Sequence, residues 1–349
     1  MKAIKFFAIS AMAAAMITSC SNEDELSQSN YPSDNIIRIT AGVNNAKTRA
    51  DETAGTPLKN PLSLTVVNKN TETTLAKKYT YVNQVFTKDE NEVWKCSETK
   101  PLLWQNSETP VDIVAFAPAQ EGKFDGVYNN ETRNYSSFSY SVAANQSTES
   151  ENNDLLYYYA PNFKPGESLK DGKLSIKMNH AFCMIDIIVT LGTEFNVDDI
   201  PATSPITEVT LGGTKIEATV DVTNPYGIVT ATSAAAKDIT ATKGDFDTPA
   251  DKDKEKPCIS HFSCITIPQT VGANTFKVSL KTAGKRYEWT SAEPVELKSG
   301  YRYTLELTMG NNVVLLKGGS ITPLSHGQKS LVTSLLRQTK EHELKIVRL

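Results

Sequence analysis

The 349-residue chain sets 36 Lys and Arg against 40 Asp and Glu, a formal net charge of −4, with 39% apolar and 22% charged residues. That composition belongs to a globular protein long enough for two domains, and the acidic balance, with no basic stripe interleaved with aromatics, argues against a nucleic-acid-binding surface. Past the N-terminal leader no apolar run reaches membrane-spanning length; the best, Met184 to Leu191, is interrupted by Asp186.

The leader itself has a clear order. Lys2 and Lys5 form a positive start, Phe6 to Ile17 an apolar stretch rich in Ala, and Ile17-Thr18-Ser19-Cys20 closes it. This is a secretory signal peptide over residues 1–19, and a cleavage site that ends in Cys is a lipobox, in which the Cys20 thiol is acylated before cleavage makes it the mature N-terminus. An acidic tether, Ser21 to Glu25, follows. Ile36, Ile37, Ile39, Ala41 and Val43 then predict a short strand over Ile36 to Val43, and a polar segment from Asn44 to Asp51 carries Arg49 and Ala50. Exposed segments of small and polar residues are where proteases act, so the strand could be cut away; taken alone, Arg49 is one basic residue in a linker.

From Leu62 onward short strand-like runs alternate with turn residues. Leu62, Leu64 and Val66, then Tyr79, Tyr81 and Val85, alternate with polar residues, and Val93-Trp94 follow a turn at Lys88 to Asn91. Val111 to Ala117, between Pro110 and Pro118, is nearly continuous in apolar residues, as in the middle of a sandwich sheet. Residues 121–153 read as long loops with a short strand near Ser137 to Val142, and no amphipathic helix is evident. Pro165 to Gly172 reads as an interdomain connection. Beyond it, strands are predicted at Lys173–Met178, Phe182–Leu191, Ile206–Leu211, Ile216–Val222, Ile228–Thr232, Ile259–Ile267, Thr275–Thr282 and Tyr301–Met309. Strands at this spacing with little helix signal predict an all-β protein with a sandwich in each half.

No constellation calls for catalysis or a cofactor. With Cys20 assigned to lipid, Cys96, Cys183, Cys258 and Cys264 remain; an unbroken strand would hold Cys258 and Cys264 ~20 Å apart, beyond disulfide reach, so free thiols are expected. No C-x-x-C pairs with histidines as a zinc site would. The acidic run Asp245 to Asp253 lacks the turn glycine and closing glutamate of a calcium loop, and no metal is expected there. None of His180, His261, His326 and His342 sits in a triad or zincin context. Trp94, Trp104, Trp289 and Tyr157-Tyr158-Tyr159 could stack on sugars, but on a strand Tyr157 and Tyr159 share one face and Tyr158 the other, so one face at least is expected in the core.

Taken together these residues resemble the fimbrillin family of Bacteroidales, the subunits of type V pili. The matching pieces are the lipobox at Cys20, the strand with Thr48-Arg49-Ala50 behind it, Pro110 to Pro118, Asp154-Leu155-Leu156-Tyr157, and Leu174 to Asp186 with Asn179-His180-Ala181-Phe182. Ile267-Pro268-Gln269-Thr270, Gly300 to Thr304 and Ser320-Ile321-Thr322-Pro323 complete them.

The resemblance implies two transthyretin-like β-sandwich domains in tandem, placed at residues 50–166 and 167–349, behind a propeptide over residues 20–49. It implies export to the outer membrane through lipid on Cys20 and Arg-specific cleavage after Arg49, leaving Ala50 as the new N-terminus. The mechanism it implies is donor-strand exchange: loss of the Ile36 to Val43 strand opens a sheet edge, which a strand from another fimbrial subunit fills. Such head-to-tail contacts build filaments and would support adhesion. The tail departs from the family pattern from Leu324 onward, running to Leu349 with five Lys or Arg against two Glu; Glu343 to Leu349 could form a donor strand. An alternative from another class is a permanently anchored surface glycan-binding lipoprotein.

Overall fold

The computed structural model describes residues 30–44, 56–148, 154–223, 228–250 and 252–323. The lipobox with Cys20, the Arg49-Ala50 site and the tail from residue 324 lie outside them. The described chain is all-β apart from a few short helical turns.

In chain order the first half runs β1 (Arg38–Val43), β2 (Thr56–Pro57), β3 (Leu62–Asn68), the helix α1 (Thr73–Lys78), β4 (Tyr81–Lys88), β5 (Trp94–Cys96) and β6 (Val111–Ala117). It continues through β7 (Tyr128–Asn129), β8 (Asn134–Tyr135), β9 (Phe138–Ser141), β10 (Leu156–Phe163), the turn of helix α2 (Pro165–Ser168) and β11 (Lys173–His180). An eight-stranded sheet has the order β2-β1-β11-β10-β6-β3-β4-β5. Its central strands are apolar on both faces because both faces are covered. On β6, Val111, Ile113, Ala115 and Ala117 enter one hydrophobic cluster, while Val114 and Phe116 enter the other. This is why the Val111–Ala117 run is continuous rather than alternating. On β10, Tyr157 and Tyr159 pack on one cluster and Tyr158 on the other.

The second half runs β12 (Cys183–Leu191), β13 (Ile206–Gly212), β14 (Glu217–Asp221), β15 (Ile228–Ala231), β16 (Ile239–Thr240), β17 (Thr242–Asp247) and β18 (Ile259–Thr266). Then come β19 (Gln269–Val271), β20 (Lys277–Thr282), β21 (Arg286–Thr290), β22 (Val295–Leu297), β23 (Tyr301–Met309) and β24 (Val314–Pro323). A five-stranded sheet β17-β18-β12-β23-β24 and a four-stranded sheet β16-β13-β20-β21 contribute to one core. Strict alternation on β12 sends Cys183, Ile185, Ile187, Val189 and Leu191 into it, each 0% exposed.

The halves interlock. β11 falls after residue 166 yet lies between β1 and β10 in the first sheet, and β9, before that residue, pairs with β14 in a sheet β15-β14-β9. Gln146 goes further: its side chain donates to and accepts from the backbone of Ile265 on β18, both at 2.7 Å. The helix α1 arises where the sequence showed no helical stripe. It spans six residues with Ala76 alone buried, too short to display an amphipathic period.

Candidate functional site

The predicted detachable strand can be built from its residues upward. Ile36, Ile37 and Ile39 are β-branched and favour extended backbone. Asp34 prepares the entry: its carboxylate accepts the Ile36 N–H at 3.1 Å and the Arg38 guanidinium at 2.9 and 2.5 Å. Those bonds, Arg38 first, hold the Asp34 carboxyl down to about 2. Residues 37, 39, 41 and 43 then share one face. Ile37 and Ile39 are 4% exposed in the cluster containing Leu62, Leu64, Trp104 and Leu174, and Ala41 and Val43 pack half-buried against it. The regular strand begins at Arg38, while Ile36 takes part in a single bridge with Leu103.

One edge of β1 is paired along its length. It runs parallel to β11, with Arg38 opposite Lys173 and Val43 opposite Met178. The Asn44 N–H closes this ladder on the Met178 carbonyl at 2.8 Å, and the Asn44 side chain donates to Asn179 Oδ1, also at 2.8 Å. The other edge is held only at its ends. The Ile37 N–H donates to the Leu102 carbonyl and the Trp104 N–H to the Asn35 carbonyl, each at 2.8 Å. At the far end Gly42 and Val43 face Pro57 and Thr56 of β2. Among the described residues no strand pairs with Arg38 to Ala41 on that side. The strand therefore occupies a slot walled by β11, capped by Leu102–Trp104 and by β2, and floored by the apolar cluster.

The structure brings Ile37, Ile39, Ala41 and Val43 together on the floor of this slot, with Ile36 ahead of the strand at its bridge to Leu103. Sequence reasoning missed its walls. Lys173 to Met178 is legible as a strand but not as the neighbour of β1, Leu102-Leu103 carries no signal, and Asn179 stands out only as part of the Asn179-His180-Ala181-Phe182 motif, with no role in a slot. Only the alternation of Leu174, Ile176 and Met178 signalled a buried face there.

The other candidates are accounted for by packing. Trp94 and Trp104 are buried, Trp104 stacked on Phe163 at 6.0 Å between centroids, so these two indoles offer no exposed sugar platform. The thiols of Cys96, Cys183, Cys258 and Cys264 are free. His180 pairs with Asp154, and His261 with Asp247 at 2.9 Å. An apolar recess of about 30 Å³ lies beside Phe276, Trp289, Tyr303 and Leu316, room for roughly one water molecule.

The family model described as fimbrillin-like matches residues 48–323. Two solved structures are similar in fold. A candidate cell adhesion protein from Bacteroides ovatus superposes with a TM-score of 0.60 at 16% identity, covering 82% of this chain and 97% of its own. Another from Bacteroides uniformis gives 0.55 at 15% identity, covering 84% and 100%. Comparison with curated protein sequences finds no match.

Proposed function

The chain belongs to the fimbrillin-like family, and from that premise we propose that it is a non-enzymatic, cell-surface fimbrial subunit assembled by donor-strand exchange. In this reading residues 1–19 direct export, lipid on Cys20 tethers the precursor to the outer membrane, and β1 is a place-holder. An Arg-specific protease cuts after Arg49, another fimbrial subunit supplies the replacing strand, and the body is two transthyretin-like sandwiches.

The observation that carries the reading is the slot. β1 and the residue just before it bury Ile39 and Ile37, and β1 pairs along one full edge, yet its other edge is engaged only at the ends. It joins the body through the segment that carries Arg49. While that segment is whole, β1 binds intramolecularly at a high effective concentration; once cut, it competes only at its free concentration. A strand tethered to a neighbouring subunit then wins, with backbone hydrogen bonds supplying affinity and alternate side chains supplying fit. An empty slot, with an open edge and an uncovered apolar floor, favours that capture.

The test is to treat the purified precursor with an Arg-specific protease, determine the new N-terminus by mass spectrometry and follow size by chromatography. A start at Ala50 with growing polymers, both abolished by Arg49→Ala, is the expected result. Cleavage after Arg49 that yields only monomers, with added donor-strand peptides failing to displace β1, would overturn the exchange mechanism.

A further inference from the structure

We propose that the slot reads the register of the strand that replaces β1, and that Asn179 is the residue that reads it. This rests on the donor-strand reading above and specifies the partner: an extended segment of a neighbouring subunit, running parallel to β11. It carries large apolar residues at the Ile37 and Ile39 positions and a hydrogen-bonding side chain at the Asn44 position.

The argument begins with what apolar alternation can and cannot specify. A one-residue slip turns every inward side chain outward and is strongly disfavoured. A two-residue slip keeps the same face inward, so the apolar floor alone discriminates it poorly. The slot has fixed features at its ends that break this degeneracy. At the start, the Leu102 carbonyl and the Trp104 N–H bracket Asn35 to Ile37. At the finish, Asn44 leaves the ladder through its N–H to Met178 and sends its carboxamide to Asn179 Oδ1 at 2.8 Å.

Asn44 and Asn179 both lie off the apolar face. Ile37, Ile39, Ala41 and Val43 point to the cluster, as do Leu174, Ile176 and Met178 on β11; Asn44 and Asn179 are the next residues along each strand. Their contact is therefore independent of the packing that holds the isoleucines. Asn179 belongs to β11, which stays with the body after cleavage, whereas Asn44 leaves with the propeptide. Asn179 thus becomes an amide waiting at a defined distance from the deep apolar positions. β2 also lies beyond Arg49 and stays, ready to meet the outer edge of the incoming strand at the Gly42 and Val43 positions.

The hydrogen bond is half-exposed, so water satisfies Asn179 when the donor residue is wrong. Its effect is discrimination between registers rather than a large gain in affinity. One such bond is worth about five- to tenfold in binding.

The test uses the full chain cut at Arg49, with labelled synthetic peptides spanning Asn35 to Asn44 displacing the cleaved segment. The parent peptide is compared with its Asn44→Ala form and with a form carrying the Asn two positions earlier. On the parent protein both altered peptides should bind about five- to tenfold more weakly. On Asn179→Ala the three should bind alike, which also separates a register contact from a general loss of fold. Because the change is placed in the peptide as well as the protein, the parent comparison stands even if the variant folds poorly. Equal binding of all three peptides to the parent protein overturns the register proposal and leaves strand exchange intact. Failure of every peptide to displace the cleaved strand overturns the exchange reading, and this proposal with it.

Discussion

β1 and β12 both pair in parallel with a neighbour, yet they are held in opposite ways. β12 is hydrogen-bonded along both edges, antiparallel to β18 from Cys183 to Thr190 and parallel to β23 from Met184 to Leu191. Its five inward residues are 0% exposed. β1 is paired along one edge, and its inward face grades from Ile37 and Ile39, 4% exposed, to half-buried Ala41 and Val43. On the donor-strand reading, the second paired edge, not strand direction, separates a strand that stays from one that can be replaced. Removing β12 would split the five-stranded sheet; removing β1 leaves β11 to β5 connected as before.

The strongest way to break that comparison is a pair of matched truncations. Ile187→Ala should destabilise the protein by an amount in the upper half of the roughly 2–5 kcal/mol expected for a buried isoleucine, and Ile39→Ala by an amount near the bottom of that range. Denaturant unfolding of the uncut chain gives both numbers. After cleavage at Arg49 and displacement of β1, the Ile39→Ala effect should vanish while the Ile187→Ala effect persists. An Ile39→Ala penalty that survived displacement would mean that the strand never left the fold.

The next effect tests how the sheet containing β12 is anchored from outside itself. Gln146 is 0% exposed, and its carboxamide satisfies both backbone groups of Ile265. Its own carbonyl accepts the Thr242 hydroxyl at the start of β17. Gln146→Ala leaves the buried Ile265 N–H and C=O without these partners, a cost of about 2 kcal/mol. Because the β9–β14 pairing and the place of β11 in the first sheet remain, both halves should still melt in one transition. Two resolved transitions in calorimetry of the variant would show that the Gln146 contact itself couples the halves.

What the sequence made legible follows the same division. Val111–Ala117, the alternation of Cys183–Leu191 and the bounds of Tyr301–Met309 could be read because burial leaves its pattern in the strand itself. The segment Ile36 to Val43 was readable for the same reason. β17 was not: Thr242 to Asp247 is a polar run, half-buried or exposed, and is a strand only because β18 pairs with it. β24 carries Gly318 and Gly319, which weaken any strand signal, and owes its extent to β23. The placement of β11 beside β1 also comes from pairing between residues far apart in sequence. For the candidate site this means that the occupant of the slot was visible and its walls were not. Leu102–Trp104, β2 and Asn179 become walls of the slot only through what they face.

A smaller effect concerns charge on β12. Asp186 lies on its outward side, 24% exposed, with Arg302 Nε at 3.4 Å. Burial raises its pKa, and Arg302 and His261 only partly counter this. A raised folded-state pKa means that the group favours folding below the unfolded value of roughly 3.9, and that this contribution is lost as pH rises through the folded value. Asp186→Asn should therefore be slightly more stable than the parent at pH 7, by less than about 1 kcal/mol, with the gap closing on acidification. Melting temperatures at pH 7 and at acid pH decide it. A less stable Asn variant at pH 7 would show that the Arg302 pair outweighs burial, making this face of β12 another fixed anchor.

The last prediction involves no change in stability and contrasts the two sheets through their thiols. Cys183 and Cys264 face the second core on β12 and β18; burial pushes Cys264 up to about 12 and Cys183 well above its ordinary value. The thiolate is the reactive form, so both should resist alkylation until the protein unfolds. Cys96 is half-buried on β5, at the edge of the eight-stranded sheet, packed against the cluster that β1 covers. β5 also approaches β1 directly. Burial raises the Cys96 pKa as well, so labelling in the uncut chain should be slow. Displacing β1 uncovers that side of the cluster, and alkylation of Cys96 at pH 8 should then accelerate while Cys183 and Cys264 remain protected. Peptide mapping by mass spectrometry reads all three at once. If Cys183 and Cys264 were exposed together with Cys96, loss of β1 would loosen both cores, and the two strands would differ in degree rather than in kind.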